Sequence, residues 1–247
     1  MHRIGVTTWL PFLLLAMLLT SCNRKYRVEG NSSLINLDGK VLYLKMLQDG
    51  IWVSVDSSEV VHGCFKMKGP VDSVRMVTLY LNNEALMPLV LENGKVKVSI
   101  APGSFQASGT PLNDKLYDFI ERRNALEQAI EELERKEARM VLDGANIDDI
   151  HEELASQGEK KMKEMDDYVR QFIVDNYENV LGPSIFMMMC STMPYPLMTD
   201  RVKDIMRTAP VTFKNNPLVK DFLEKAQENT KLLEEHKLLQ DNMASNN

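Results

Sequence analysis

Side-chain chemistry needs a nucleophile, an acid–base group or a soft ligand, so the cysteines, histidines and methionines are read first. Cys64 begins Cys64-Phe65-Lys66-Met67-Lys68. This alternating stretch puts the thiol on the face opposite Phe65 and Met67 and beside two ammonium groups. Nearby positive charge favours the thiolate, the reactive form; a reactive thiol and an inert strand cysteine both fit this spacing. Cys190 closes Ile185-Phe186-Met187-Met188-Met189-Cys190, where burial would keep the thiol protonated and inert. A Cys64–Cys190 disulfide would suit an oxidising compartment, but it would have to join a strand to the interior of a helical region. Met187, Met188, Met189, Cys190 and Met193 offer the soft ligands that Cu(I) takes. Consecutive helical positions diverge, however, and only Met189 with Met193, or Cys190 with Met193, share a face. Adaptable core packing is the stronger reading of this group. His62, His151 and His236 show no paired ligand spacing, no carboxylate pair or serine stands in a recognised catalytic setting, and no Gly-rich phosphate loop occurs. The sequence therefore implies no catalytic residue, no metal site and no cofactor.

The remaining cysteine ends a segment of another kind. Arg3 precedes an apolar run from Val6 to Leu19, which Leu19-Thr20-Ser21-Cys22 closes. That is the layout of an export signal. At fourteen residues the run is shorter than a spanning helix, which needs about twenty. Its last four residues look like a bacterial lipobox, implying cleavage between Ser21 and Cys22 and lipidation of Cys22 by a diacylglycerol with an amide-linked chain. More than one acyl chain gives stable anchoring, at about 0.8 kcal/mol per buried methylene. Residues 1–21 are thus expected to be a lipoprotein signal peptide. The rest is expected to sit lipid-anchored at a membrane of the cell envelope, the outer membrane for preference, facing the periplasm or the exterior. The tether is short, because alternation begins at Tyr26 after only Asn23, Arg24 and Lys25.

Composition sets limits. The formal net charge is −6, and the leader carries away only Arg3. A nucleic-acid surface needs a net or clustered positive face, so nucleic acid is not an expected partner. Apolar and charged contents of 44% and 26% are ordinary for a globular protein. Two cysteines beyond Cys22 build no disulfide framework.

The elements follow from periodicity. From Tyr26 to Gly109, strand patterns alternate with turn signals. Val41 to Leu47 and Ile51, Val53, Val55 flank Asp49-Gly50 as a hairpin. Glu59-Val60-Val61 and Cys64 to Lys68 flank His62-Gly63, a pair closed by Gly69-Pro70. Val74 to Leu81 leads to Asn82-Asn83, and Leu89-Val90-Leu91 and Val96, Val98, Ile100 flank Asn93-Gly94, which suits a type I′ turn. Residues 22–109 are expected to form a β domain of seven or eight strands, an antiparallel sandwich or partial barrel. At Thr110-Pro111 the period changes from two to that of a helix, with Thr110 as N-cap and Pro111 in the first helical position. Leu116, Phe119, Leu126, Ile130, Leu133 and Met140 form one stripe, and Glu131 with Arg135 and Glu132 with Lys136 support the outer face. After Asp143 to Asn146 a second long helix carries Ile150, Leu154, Met162, Met165, Val169 and Phe172 inward. The two form a helical hairpin over 112–178 with coiled-coil-like spacing, either a projecting binding arm or a cover for the sheet. Shorter helices follow over 183–240, starting at Gly182-Pro183, Thr199-Asp200 and Asn216-Pro217, and the polar stretch from Gln240 should fray. The fold class is α+β, with the helical region spanning 110–247.

Val55-Asp56-Ser57, then His62-Gly63-Cys64-Phe65-Lys66-Met67-Lys68-Gly69, then Leu89-Val90-Leu91-Glu92-Asn93-Gly94, then Ser108-Gly109-Thr110-Pro111-Leu112-Asn113 stand in this order. That order resembles the successive signatures of domain of unknown function 4369, and the resemblance extends over roughly residues 26 to 230. It implies the N-terminal β domain of envelope lipoproteins whose C-terminal part is a thioredoxin-like thiol-disulfide oxidoreductase. In those relatives a Cys-x-x-Cys site follows, whereas cysteines at 22, 64 and 190 form no such motif, so no redox activity carries over. The expectation is a non-catalytic lipid-anchored cell-envelope lipoprotein acting as a protein-binding or structural module. Its partners would be the membrane, through the anchor, and another protein. The alternative is an accessory factor in envelope thiol-disulfide chemistry that works with a separate thioredoxin-like protein, and copper binding stands third.

Overall fold

The computed structural model describes residues 24–48, 50–144 and 146–245. The stretch that resembles a lipobox, with the expected cleavage and lipidation positions Ser21 and Cys22, lies outside them. No helix among the described residues is long and apolar enough to cross a membrane.

The expected α+β order is what the chain adopts. Eight strands form two four-stranded sheets: β1 (Lys25–Ser32), β2 (Val41–Gln48), β3 (Ile51–Glu59), β4 (Cys64–Pro70), β5 (Arg75–Leu81), β6 (Glu84–Leu91), β7 (Gly94–Ala101) and β8 (Ser104–Ser108). The strand order is β4-β1-β7-β8 in one sheet and β3-β2-β5-β6 in the other. The first sheet is mixed, because β1 runs antiparallel to β4 but parallel to β7. Alternate residues are buried along β1, β4, β5, β7 and the first half of β2, including Tyr26, Val28, Phe65, Met67, Val96 and Val98 from the first sheet and Leu42, Leu44, Val77 and Leu79 from the second. This is the period that a half-buried strand requires. Gly30 leaves room for a ring: a Cβ there would lie 2.0 Å from the Phe65 side chain opposite it. The Tyr26 hydroxyl, from β1, donates to Asp56 Oδ2, from β3, at 2.9 Å. Desolvation raises the Tyr26 pKa, and the Asp56 bond and charge add to the shift.

Two turns differ from the sequence expectation. Gly69-Pro70 closes no hairpin, because β4 continues through it as the antiparallel partner of β1, Lys25 facing Pro70. Between β3 and β4 only the single bridge Val61–Cys64 forms, across a turn whose His62 and Gly63 both have positive φ, 51° and 71°. Asn93-Gly94 is likewise no hairpin turn, since β6 and β7 belong to different sheets. The chain crosses over there, and Asn93 Oδ1 accepts the Lys25 N–H at 3.0 Å.

The described chain divides into two compact units, the first reaching Met87 and taking in Leu91–Phe105, the second made of Pro88–Val90 and everything from Gln106. The second unit holds α1 (Pro111–Leu142), α2 (Ile147–Asp175), α3 (Leu181–Cys190), α4 (Asp200–Thr208), α5 (Val211–Lys214) and α6 (Pro217–Ser245). Thr110 stands at the N-cap with extended backbone, but its hydroxyl caps no backbone N–H and instead accepts from Asn113 Nδ2 at 2.8 Å. Asn113 is fully buried and bonds both polar groups of Val90, donating to its carbonyl at 2.8 Å and accepting its N–H at 3.0 Å. Tyr117 adds a bond from its hydroxyl to the Pro88 carbonyl at 3.0 Å. The first turns of α1 therefore hold the Pro88–Val90 segment as a neighbouring strand would.

The helical hairpin forms as expected, with Arg122 pairing Glu164 at 2.6 Å and Glu137 meeting His151 at 3.1 Å. Phe119 stacks on Tyr168 and meets Phe172 at 4.2 Å between centroids. The inward stripe of α2 differs from the expectation at Met162, which is exposed, while Ile173 is fully buried. Ile150 lies among side chains outside the described set. Glu132 pairs with Arg135 and Arg139 rather than Lys136. Thr199 caps α4 by accepting the Val202 N–H, as its position implies. The α6 backbone stays helical to Ser245 rather than fraying at Gln240.

Candidate functional site

Four of the large apolar side chains that the first unit leaves in water, Leu47, Ile51, Trp52 and Val53, stand together near the end of the β2–β3 hairpin, and a backbone irregularity sets which way they face. The register runs Tyr43 to Ser57 and Leu44 to Asp56, then shifts to Lys45 opposite Ser54 and Leu47 opposite Trp52. Val55 is the extra residue of this bulge, so Ile51, Val53 and Val55 do not continue one face of the strand as their spacing suggests. A bulge reverses the alternation beyond it. Trp52 is thereby placed on the outer face with Tyr43, Lys45 and Leu47. On the neighbouring strand, Tyr80 lies opposite Tyr43. The Trp52 and Tyr80 rings meet edge to face at 5.5 Å, and Lys45 Nζ stands 4.7 Å from the Tyr80 centroid. The same ammonium donates to the Asn82 carbonyl at 3.2 Å. Cation–π and edge contacts of this kind contribute about 0.5–1 kcal/mol each at exposed sites.

The tip of the ribbon is apolar on both sides. Ile51 and Val53 pair with Gln48 and Met46 and so point away from Trp52. Ile51 is 68% exposed and Trp52 52%, with Leu47 and Val53 also exposed. Burying side chains of this size typically contributes about 1.5–3 kcal/mol each. A contiguous patch of them left in water marks an interaction surface more often than scattered single residues do.

The two described cysteines have opposite surroundings, and both are free thiols. Cys64 is exposed at the start of β4, opposite Asn31. Cys190 is buried at the end of α3; desolvation pushes its thiol up to about 12, with Arg201 opposing the shift. Of the methionines near it, Met189 is buried and Met188 exposed, as packing around one helix face requires. His62 sits in the β3–β4 turn, and His151 bonds Glu137 on the surface. Among the described residues no group of three His, Cys, Asp or Glu side chains could hold a metal ion.

Two sheets of alternating strands, followed by a helix that binds the Pro88–Val90 backbone through a buried asparagine, define the class: an α+β chain built from a β domain and a helical region. Within it, residues 26–116 match the family described as a domain of unknown function, DUF4369. The chain carries that domain at its N-terminal side, as the resemblance implied. The match ends at Leu116 and so includes Asn113 and the start of α1, but not the helical stretch toward residue 230. No curated protein matches the chain.

Proposed function

We propose that this protein is a non-catalytic, lipid-anchored cell-envelope module that binds another protein through the outer face and tip of its β2–β3 hairpin. The observation that carries this reading is the bulge-directed cluster of Trp52, Tyr80, Tyr43 and Lys45 beside the exposed Leu47, Ile51 and Val53. Large aromatic anchors ringed by apolar side chains are the usual centres of protein interfaces. The lipobox at Leu19 to Cys22 supports the anchor, since an acylated Cys22 would hold the body at the envelope membrane. The test places a photo-crosslinking residue at position 52 in cells, with position 160 on α2 as control. One discrete cross-linked protein at 52, absent at 160 and lost with I51S/V53S, is the expected result. Equal, diffuse products at both positions would end the assignment.

A second reading rests on Cys64, the exposed thiol. An accessory factor in envelope thiol-disulfide chemistry, working with a separate thioredoxin-like protein in its disulfide form, would form a mixed disulfide there as the Cys64 thiolate attacks that disulfide and displaces the partner's second sulfur as thiolate. Trapping that adduct with Cys64 intact, and losing it in Cys64→Ser, would establish this role; a native thiol that takes up no partner would remove it.

A further inference from the structure

The opposite outer face of the same domain is cationic. Alternation turns Lys25 and Arg27 of β1, Lys66 and Lys68 of β4, and Lys95 and Lys97 of β7 outward, all exposed. The register assembles them. Lys68, Arg27 and Lys95 lie side by side across three strands, and Lys66, Glu29 and Lys97 form the next row. With strands about 4.8 Å apart and like-facing residues about 7 Å apart along each strand, the charges share one compact field. Glu29 is the single acidic member. It bonds Lys95 at 2.5 Å, and its pKa is lowered chiefly by that bond, with Lys66 and Arg27 adding to the effect.

Two features set this face apart from a merely solvated one. Like charges directly opposite on neighbouring strands destabilise a sheet, yet Lys68 faces Arg27 and Arg27 faces Lys95. The field also forms on a chain whose net charge is −6. At physiological ionic strength charges are screened over about 8 Å, so the acidic residues elsewhere do not cancel it.

We propose that this face binds the anionic headgroups of the bilayer. The cations complement phosphate-bearing lipid, and chain length supplies the second argument. Cys22 stands three positions before Lys25, and three residues span at most about 11 Å. A thiol acylated in the membrane keeps the first strand of the cationic sheet at the lipid surface. The inference rests on the anchor reading only for this proximity; the charge complementarity is independent of it.

The test separates the two. The full chain with Cys22→Ser is mixed with phosphatidylcholine vesicles, with and without phosphatidylglycerol, and the ratio of the two partition coefficients is measured by flotation. The leader, with Arg3, is the same in every variant, so the change in the ratio between variants isolates the charge of the face. Each surface cation contributes about fivefold toward anionic lipid. The ratio should therefore be on the order of a thousand, fall on the order of a hundredfold in K66A/K68A/K97A, collapse at high salt, and hold in K136A/K160A/K163A, which removes the same charge from the helices. A ratio near one, or an equal fall in both triple variants, overturns the proposal. Binding to polyglutamate beads without binding to phosphatidylglycerol vesicles also overturns it and assigns the face to an acidic protein. Intact-mass analysis of the unaltered chain from cells reports acylation of Cys22 separately, so loss of the anchor reading leaves the ratio standing.

Discussion

The two outer faces of the β domain are built from the same alternation and end with opposite chemistry. On the first sheet the outward positions of β4, β1 and β7 are mostly polar, and six of them are cations. On the second sheet the outward face carries Tyr43, Tyr80, Leu47 and Trp52, with Trp52 brought into line by one extra residue at Val55. Unbroken strand period, joined by the pairing of β1 with β4 and β7, produces the first face, whereas the second needs a break in the period. One face suits a charged planar surface, and the other suits a shaped partner with pockets for rings. Their shared interior, from Val28 and Phe65 to Leu42 and Leu79, is what keeps them back to back.

The largest expected effect tests whether exposure on the cationic face is real. Cys64 opens β4 on that face, whereas Cys190 is enclosed among helices. Native protein should modify at Cys64 at once with a charged thiol reagent. Cys190 should react only as the second unit opens, slower by about a thousandfold or more for ordinary domain stabilities. Comparable rates would show either that Cys64 is covered or that the helical core is open. Next in size is Gly30→Leu. A side chain there collides with the Phe65 ring on the inner side of the first sheet, and overpacking should cost about 3 kcal/mol, read as a lower denaturant midpoint at unchanged slope. If Gly30→Leu is tolerated, the interior shared by the two faces is looser than its burial implies.

Tyr26→Phe removes the bond that ties β1 of one sheet to Asp56 of the other, and a hydrogen bond to a charged partner contributes about 1.5 kcal/mol. Alkaline titration probes the same contact. Tyr26 and Tyr117 have pKa values raised above 10.0, in each case chiefly by burial. A raised tyrosine pKa means that the folded state keeps its proton longer than the unfolded one. That stability is complete below the unfolded pKa of about 10 and is lost as pH rises beyond it. Equilibrium unfolding followed between neutral pH and pH values above 10 should show stability falling, with a smaller fall in Tyr26→Phe.

Much of this arrangement was legible in the sequence, and the parts that were not share a cause. The β2–β3 hairpin, the Pro111 helix start, the helical hairpin and the helix start at Thr199-Asp200 follow from period and local turn chemistry, whereas Thr110 sits at its cap position without capping a backbone N–H. Asn93-Gly94 carries the dipeptide of a tight hairpin, but local chemistry does not say which sheet the next strand joins. The Val55 bulge has no glycine to announce it, so the outward position of Trp52 became visible only from the register. Asn113 lies within a recognisable motif, yet its role depends on Val90, distant along the chain. The alternation of Lys66 with Lys68, and of Lys95 with Lys97, is plain in the sequence. Their union into one field depends on β1 pairing parallel to β7, a non-local contact that no short pattern encodes.

The smallest effect is the most discriminating between the two faces. Trp52→Ala removes an edge contact with Tyr80 and should cost about 1 kcal/mol. Lys68→Glu, by contrast, places a carboxylate opposite Arg27, replacing repulsion with attraction across the strand pair, and should stabilise the fold by about 0.5 kcal/mol. Thermal unfolding measures both. A face kept only for folding would gain stability from the change and lose nothing. A face kept for anionic lipid would gain the same stability while its partition into phosphatidylglycerol vesicles falls, because the substitution reverses a charge in the densest row of the field. Opposite signs for stability and binding in one variant would show that the clustered cations are maintained against the preference of the sheet; matching signs would mean that the row is held together by folding alone.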